Sequence, residues 1–152
     1  ADRPIDPTHL PTKIKVEGPK RNLPDVYEAG DLVVGEKFRA VVEEFKPGVH
    51  QFFPVELLWS DGSSAGQRYW FFVCIRLDTV DREKTTKEFR RLWDLGSAGD
   101  LVFSAAQIGS HHIWIDKFMT SDVGVLMSTA MHDALVAAGI TGMGFEEFSE
   151  TN

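Results

Sequence analysis

Only one cysteine, Cys74, occurs in the 152-residue chain, which excludes an intrachain disulfide, a thiolate zinc cluster and a CxxC redox pair. A lone thiol fits a reducing compartment. Long hydrophobic runs are missing as well: no stretch approaches the roughly 20 apolar residues of a membrane span. The opening Ala1-Asp2-Arg3-Pro4-Ile5-Asp6-Pro7 lacks the apolar centre of a signal peptide. The expectation is a soluble chain with no membrane partner. Its first residue is Ala1 and not an initiator Met, so a leader or longer N-terminus could precede it. Basic residues are the minority, with 16 Lys and Arg against 23 Asp and Glu and a formal charge of -7. Nucleic acid is thereby disfavoured as a ligand, because phosphate neutralisation needs clustered Lys and Arg. The same balance favours encounter with a basic protein.

Catalytic motifs are equally sparse. Cys74 sits in Trp70-Phe71-Phe72-Val73-Cys74-Ile75, where a desolvated thiol keeps a high pKa and stays inert. The glycines of Gly139-Ile140-Thr141-Gly142-Met143-Gly144 follow a helical pattern. A phosphate-binding turn must instead follow a strand and open a helix. Among the histidines, His111-His112 stands out. On a regular strand His111 would group with Ile113 and Ile115, and His112 with Trp114 and Asp116, so both cannot face one metal. A centre built on His112 and Asp116, completed by His50 or His132, would make the chain a small metal-dependent hydrolase, and this is the alternative function. The main expectation is no catalytic residue, no metal ligand, no cofactor and no enzyme.

What is present is core-forming material: 43% of residues are hydrophobic and 11% aromatic, enough for one compact domain. Residues 1–22 form a proline-rich arm with Pro4, Pro7, Pro11 and Pro19, and residues 23–152 form the single domain. From Leu32 onwards, Val34, Phe38, Val41, Val42 and Phe45 recur at helical spacing, and Lys46-Pro47-Gly48 stops the helix. Val49 to Trp59 and Tyr69 to Leu77 read as an antiparallel hairpin around a flexible Ser60–Gly66 loop, with Pro54 requiring an edge position or a bulge. The face carrying Tyr69, Phe71, Val73, Ile75 and Leu77 is expected to be the more buried one. Residues 78–94 read as a charged surface excursion with a short helix. Two further strands are expected at Asp100–Ala105 and His111–Asp116. Ser128 caps a second helix to about Ala138, with Gly139 after it. Gly35, Phe38, Val41, Val42 and Phe45 align with Ser128, Met131, Ala134, Leu135 and Ala138, a pattern of two similar helix-strand units. The resulting fold is α+β, with two main helices on one face of a mainly antiparallel sheet of about five strands.

Such a chain has the profile of a binder. Trp59, beside the hairpin loop, and Trp93, beside Arg90 and Arg91, are candidate contact residues, because tryptophan and arginine are favoured at binding hot spots. The acid pairs Glu43-Glu44 and Glu146-Glu147 are candidates for covering or steering a basic partner. An adaptor that binds another protein or a peptide shares this profile.

Several segments carry a family resemblance. Leu23-Pro24-Asp25-Val26-Tyr27, Leu32-Val33-Val34, Gly48-Val49-His50-Gln51-Phe52-Phe53-Pro54-Val55 and Ile140-Thr141-Gly142-Met143-Gly144-Phe145 resemble those of the Myxococcus-type polymorphic-toxin immunity proteins, a group once catalogued as a domain of unknown function. Members of that group carry Ser where this chain has Gly35. The resemblance implies a cytoplasmic antidote, encoded beside a secreted toxin, that binds the cognate toxin and blocks it during interbacterial competition. It implies no catalytic residue and leaves self-association open.

Overall fold

The computed structural model describes residues 4–93, 101–119, 124–145 and 147–151. Among them the chain is α+β, built on a five-stranded mixed sheet with three α-helices. The longest strands, β4 (Gln51–Leu58) and β5 (Ser64–Phe72), pair antiparallel. Their turn is short because Trp59 N–H donates to the Ser63 carbonyl at 2.8 Å and Gly62 N–H to the Trp59 carbonyl at 2.9 Å. Gly62 supplies the positive φ of 84° that this turn requires. The expected flexible Ser60–Gly66 loop is therefore corrected: its second half is already strand.

Beyond β5 come β3 (Asp31–Val34) and β2 (Val26–Ala29), both antiparallel, while β1 (Lys13–Lys15) adds to β4 in parallel. Glu56 N–H donates to the Thr12 carbonyl at 2.9 Å, so even-numbered residues of β4 point their nitrogens towards β1. Pro54 lies two residues before that pairing begins, where its missing N–H costs no ladder bond. The edge position that Pro54 demands is thus met.

The sheet buries both faces, and adjacent residues separate them. Val34 and Phe71 point to one side, where they meet Phe38 and Val42 of α1 (Glu36–Phe45) and Met131 and Leu135 of α3 (Thr129–Ala137). Val33 and Trp70 point to the other, where Val16, Val55 and Leu57 complete a second cluster. Each fully buried side chain of this kind contributes about 1.5–3 kcal/mol. The expectation of one dominant buried face is corrected here. The proline-rich arm supplies an edge strand and the fully buried Val16, and Trp70 Nε1–H donates to the Pro11 carbonyl at 2.8 Å.

A third cluster lies under smaller sheets. One joins β6 (Arg76–Leu77), β8 (Ile113–Asp116) and β9 (Leu126–Met127), and another joins β7 (Val102–Ser104) to β10 (Ser149–Thr151). A short helix α2 (Ala105–Ile108) follows β7, with the Ser104 hydroxyl accepting from Gln107 N–H. Strand β8 sits between clusters: Ile113 belongs with α1 and α3, whereas Trp114 packs with Val80, Trp93, Phe103 and Leu126. The expected charged excursion keeps Arg82, Glu83, Lys84, Glu88, Arg90 and Arg91 exposed, but it is anchored from within. Thr79, Val80, Thr85 and Trp93 are buried, and no helix forms between residues 78 and 93.

The two similar helix units hold in their first half. Each helix is preceded by a short strand and an extended cap residue, Gly35 for α1 and Ser128 for α3. Leu32–Val34, grouped with the helix on periodicity, is strand β3, and the helix begins at Glu36. The Ser128 hydroxyl accepts from Met131 N–H at 3.2 Å, a bond Gly35 cannot make. Gly35 has φ -83°, and an added Cβ would lie 3.5 Å from the Arg68 guanidinium, an ordinary contact. Gly35→Ser should therefore stabilise the fold by about 0.5–1 kcal/mol through a new cap and a less flexible unfolded chain. Urea denaturation checks this, and a lowered midpoint would contradict it.

Candidate partner-binding surface

Helix α3 presents two faces. Met131 and Leu135, four apart, point into the core, and Thr129, His132, Asp133 and Val136 share the opposite side by helical spacing. Val136 is 56% exposed on a helix whose other bulky apolar residues are buried. Phe145, 44% exposed, sets its ring edge-on to His132 at 4.3 Å between centroids. Beside them a groove of about 600 Å³ opens between the start of α3 and the C-terminal segment. Phe103, Ile108, Trp114 and Leu126 lie at its base, and Thr129, His132, Asp133, Phe145, Glu147 and Glu150 are among its walls. Among its described lining residues no Lys or Arg occurs.

This surface is held by a latch between segments far apart in sequence. Asp25 Oδ2 accepts from Thr141 N–H at 2.9 Å and from the Thr141 hydroxyl at 3.0 Å. In return, Asp25 N–H donates to Thr141 Oγ1 at 3.1 Å, and Val26 N–H to the Thr141 carbonyl at 3.0 Å. Burial raises the Asp25 carboxyl pKa, but the Thr141 bonds, with Lys37 and Arg68 nearby, outweigh it and hold the group below its usual range. Arg68 completes the latch by donating to the Pro24 and Asp25 carbonyls at 2.7 and 3.1 Å. Two of the segments that carry the family resemblance thus meet here and fix the chain that leads to Phe145.

A third such segment is also spent on structure. Gln51 bonds the Ile5 backbone through both ends of its amide, at 2.7 and 3.2 Å. His50 Nδ1 accepts from Cys74 N–H at 3.3 Å, which requires the ring to be neutral at that nitrogen. Burial lowers the His50 pKa, with Glu43 opposing and His111 adding to the shift, and burial likewise lowers that of His112, with Lys46 and His111 adding to it. Protonation is therefore easier in the unfolded chain. The stability these groups contribute is complete above the ordinary histidine value near 6.5 and is lost as pH falls below it. Urea midpoints should drop between pH 7 and pH 5. His50→Asn, whose side-chain oxygen can accept from Cys74 N–H without titrating, should flatten that drop, and an unchanged slope would contradict the assignment.

The expected contact residues are dispersed. Trp59 is half-buried against the cluster of Val16 and Trp70. Trp93 is only 1% exposed, packed 5.0 Å from the Phe89 ring, so its expectation as an exposed aromatic is corrected: the apolar neighbourhood of Phe89 and Phe118 draws it inside. Arg90 is exposed and ion-paired with Glu88 at 3.3 Å. Arg91 is exposed with a left-handed φ of 107°. Glu43 is half-buried, with one oxygen accepting from Gly48 N–H at 2.9 Å, so it closes the turn after α1. Glu44 is exposed, Glu147 lines the groove, and Glu146 lies outside the described residues. Sequence reasoning did not place Thr129, His132, Asp133, Val136 or Phe145 on a contact surface. The available signal was Val136, which is out of phase with Met131 and Leu135 on an alanine-rich helix.

The alternative hydrolase centre is not assembled. Asp116, 2% exposed, accepts from Thr79 N–H at 2.8 Å, the Thr79 hydroxyl at 2.7 Å and Phe118 N–H at 2.8 Å. His112 instead pairs its Nδ1 with the Ser128 hydroxyl at 2.8 Å and lies edge-on to Phe45. The expected grouping of His112 with Trp114 and Asp116 fails because His112 precedes β8, where strand alternation does not yet apply. Among the described residues no group of three His, Cys, Asp or Glu side chains could hold a metal ion. No helix among them is long and apolar enough to cross a membrane.

A search of curated proteins found no significant match. The model of the immunity protein family Imm11, in contrast, matches residues 3–150, so it spans the arm, all three clusters and the latch. The chain belongs to the immunity protein family Imm11.

Proposed function

We propose that this chain binds a cognate bacterial toxin and neutralises it without catalysis, acting in the cytoplasm of the producing cell and its kin. The family match over residues 3–150 carries the proposal. The chemistry of the side chains supports it: the groups best suited to a reaction, Asp116, His112 and His50, are each engaged in bonds that hold the fold. The contact surface we assign is the outer side of α3 with Phe145 and the adjoining groove. There, exposed apolar groups lie beside acids, as in an interface core and its rim. Trp59, Arg90, Arg91, Glu44 and Glu147 remain exposed or half-exposed positions that a large partner could also touch.

Co-expression with the product of the neighbouring reading frame tests this function. Cells carrying both proteins should grow, and the two should copurify. Growth arrest with no complex would count against neutralisation. A stable complex with no protection would point to an adaptor.

A further inference from the structure

We propose that the groove beside α3 receives a segment of the partner protein in which one apolar side chain is flanked by lysine or arginine. The proposal rests on the neutralisation reading for the partner's identity, while the chemistry comes from the groove itself. At about 600 Å³ the cavity falls within the roughly 300–1,000 Å³ typical of sites that enclose a compact ligand. Its base is Phe103, Ile108, Trp114 and Leu126, which offers an inserted aliphatic or aromatic group only apolar contact. Its charged rim has one sign: Asp133, Glu147 and Glu150 are all exposed acids. His132 Nδ1 lies within hydrogen-bonding distance of Asp133 Oδ1, at 3.0 Å, and no Lys or Arg supplies the rim a fixed positive charge among the described residues. An anionic segment would be repelled, and a purely apolar one would leave the acids unused. A cationic segment with an apolar anchor satisfies both parts and suits a chain of formal charge -7.

The walls are preformed. Residues 149–151 pair in parallel with residues 102–104, and the Phe103 and Phe148 rings meet edge-on at 5.1 Å. On the other side Ser128 fixes the first turn of α3. Val136 extends the apolar contact one turn further along the same helix face, outside the groove.

Two short synthetic peptides of equal length test the proposal, one with a central Phe flanked by Lys and Arg, the other with the same Phe flanked by Glu and Asp. Binding to the full chain is followed by backbone amide shifts and tryptophan fluorescence, since Trp114 lines the groove. The cationic peptide should shift resonances of residues 128–133 and 147–150, and the acidic peptide should not. Glu147→Lys with Glu150→Lys should weaken the cationic peptide by about tenfold, as should Thr129→Trp, which fills the mouth from an exposed position. Shifts elsewhere, equal binding of both peptides, or indifference to these variants would overturn the proposal. The neighbouring frame's product separates the two claims. If it binds these variants as tightly as the wild type, the groove assignment fails and neutralisation stands. If it binds neither, neutralisation fails and the peptides still decide the groove.

Discussion

Gly142→Ala should lower the unfolding free energy by about 4 kcal/mol, a large part of the stability of a domain this size. Gly142 holds φ at +90°, and an added Cβ would lie 2.3 Å from the Val26 carbonyl oxygen and 2.6 Å from Pro24 Cβ. The left-handed backbone alone costs an alanine about 1 kcal/mol or more. The overlap is worse, because the nearest atom is backbone and cannot rotate away. Relief requires parting residues 24–26 from the loop, which breaks the Val26 N–H bond to the Thr141 carbonyl and strains the Asp25–Thr141 exchange. Gly144→Ala is the control: nothing lies within 4 Å of its added Cβ, and its effect should stay within about 0.5 kcal/mol. Urea denaturation of both variants checks the pair. Equal stabilities would mean the latch is not closed as described. If Gly142→Ala folds at lower temperature, it should also bind the partner less well, because the same loop carries Phe145.

Trp93→Ala should cost about 3–5 kcal/mol, the range for removing a large buried aromatic ring. Its ring lies against Phe89, and Phe89 in turn meets Phe118 edge-on at 5.6 Å and carries the Arg82 guanidinium 4.1 Å above its face. Trp93 N–H donates to the Phe118 carbonyl at 2.6 Å, which ties the end of the charged segment to the turn after β8. The indole Nε1–H finds no partner among the described residues, and a buried unsatisfied donor costs about 1–3 kcal/mol. Trp93→Phe keeps most of the ring and removes that donor, so it should change stability by no more than about 1 kcal/mol. Thermal melts of the two variants separate packing from surface roles. If Trp93→Ala melts like the wild type but loses its partner, the residue is a contact after all.

Legibility in the sequence followed how local each signal was. Helix α3 could be read to within a residue because Ser128 and Gly139 are themselves the start and stop, one through its hydroxyl and the other through a φ of +73°. Strand β3 could not, since Leu32, Val33 and Val34 fit a helical register as well as a strand when Phe38 and Val42 follow. The strand Lys13–Lys15 alternates Ile14 and Val16 with Lys13 and Lys15, but the run is so short, between Pro11 and Pro19, that it reads as part of the arm until Glu56 to Leu58 lie beside it. In the charged segment 78–94, ten ionisable residues hid Thr79, Val80, Thr85 and Trp93, whose burial depends on β7 and β8 arriving later in the chain. The candidate site was hidden for the same reason. His132 and Phe145 become neighbours only through the Asp25–Thr141 latch, and no spacing along the chain encodes that meeting. The segments that gave the family resemblance are largely spent on holding the fold together, and of their residues Phe145 alone falls on the assigned contact surface.

The neutralisation proposed above requires this chain to act by occupying a cognate toxin. The most direct measurement is a titration of the purified product of the neighbouring reading frame with the purified chain, following binding heat and toxin activity together. Activity should fall in proportion to complex formed and vanish at saturation, with binding weakened by Glu147→Lys and Glu150→Lys. Full toxin activity in the presence of saturating chain, or no detectable binding, would contradict the account.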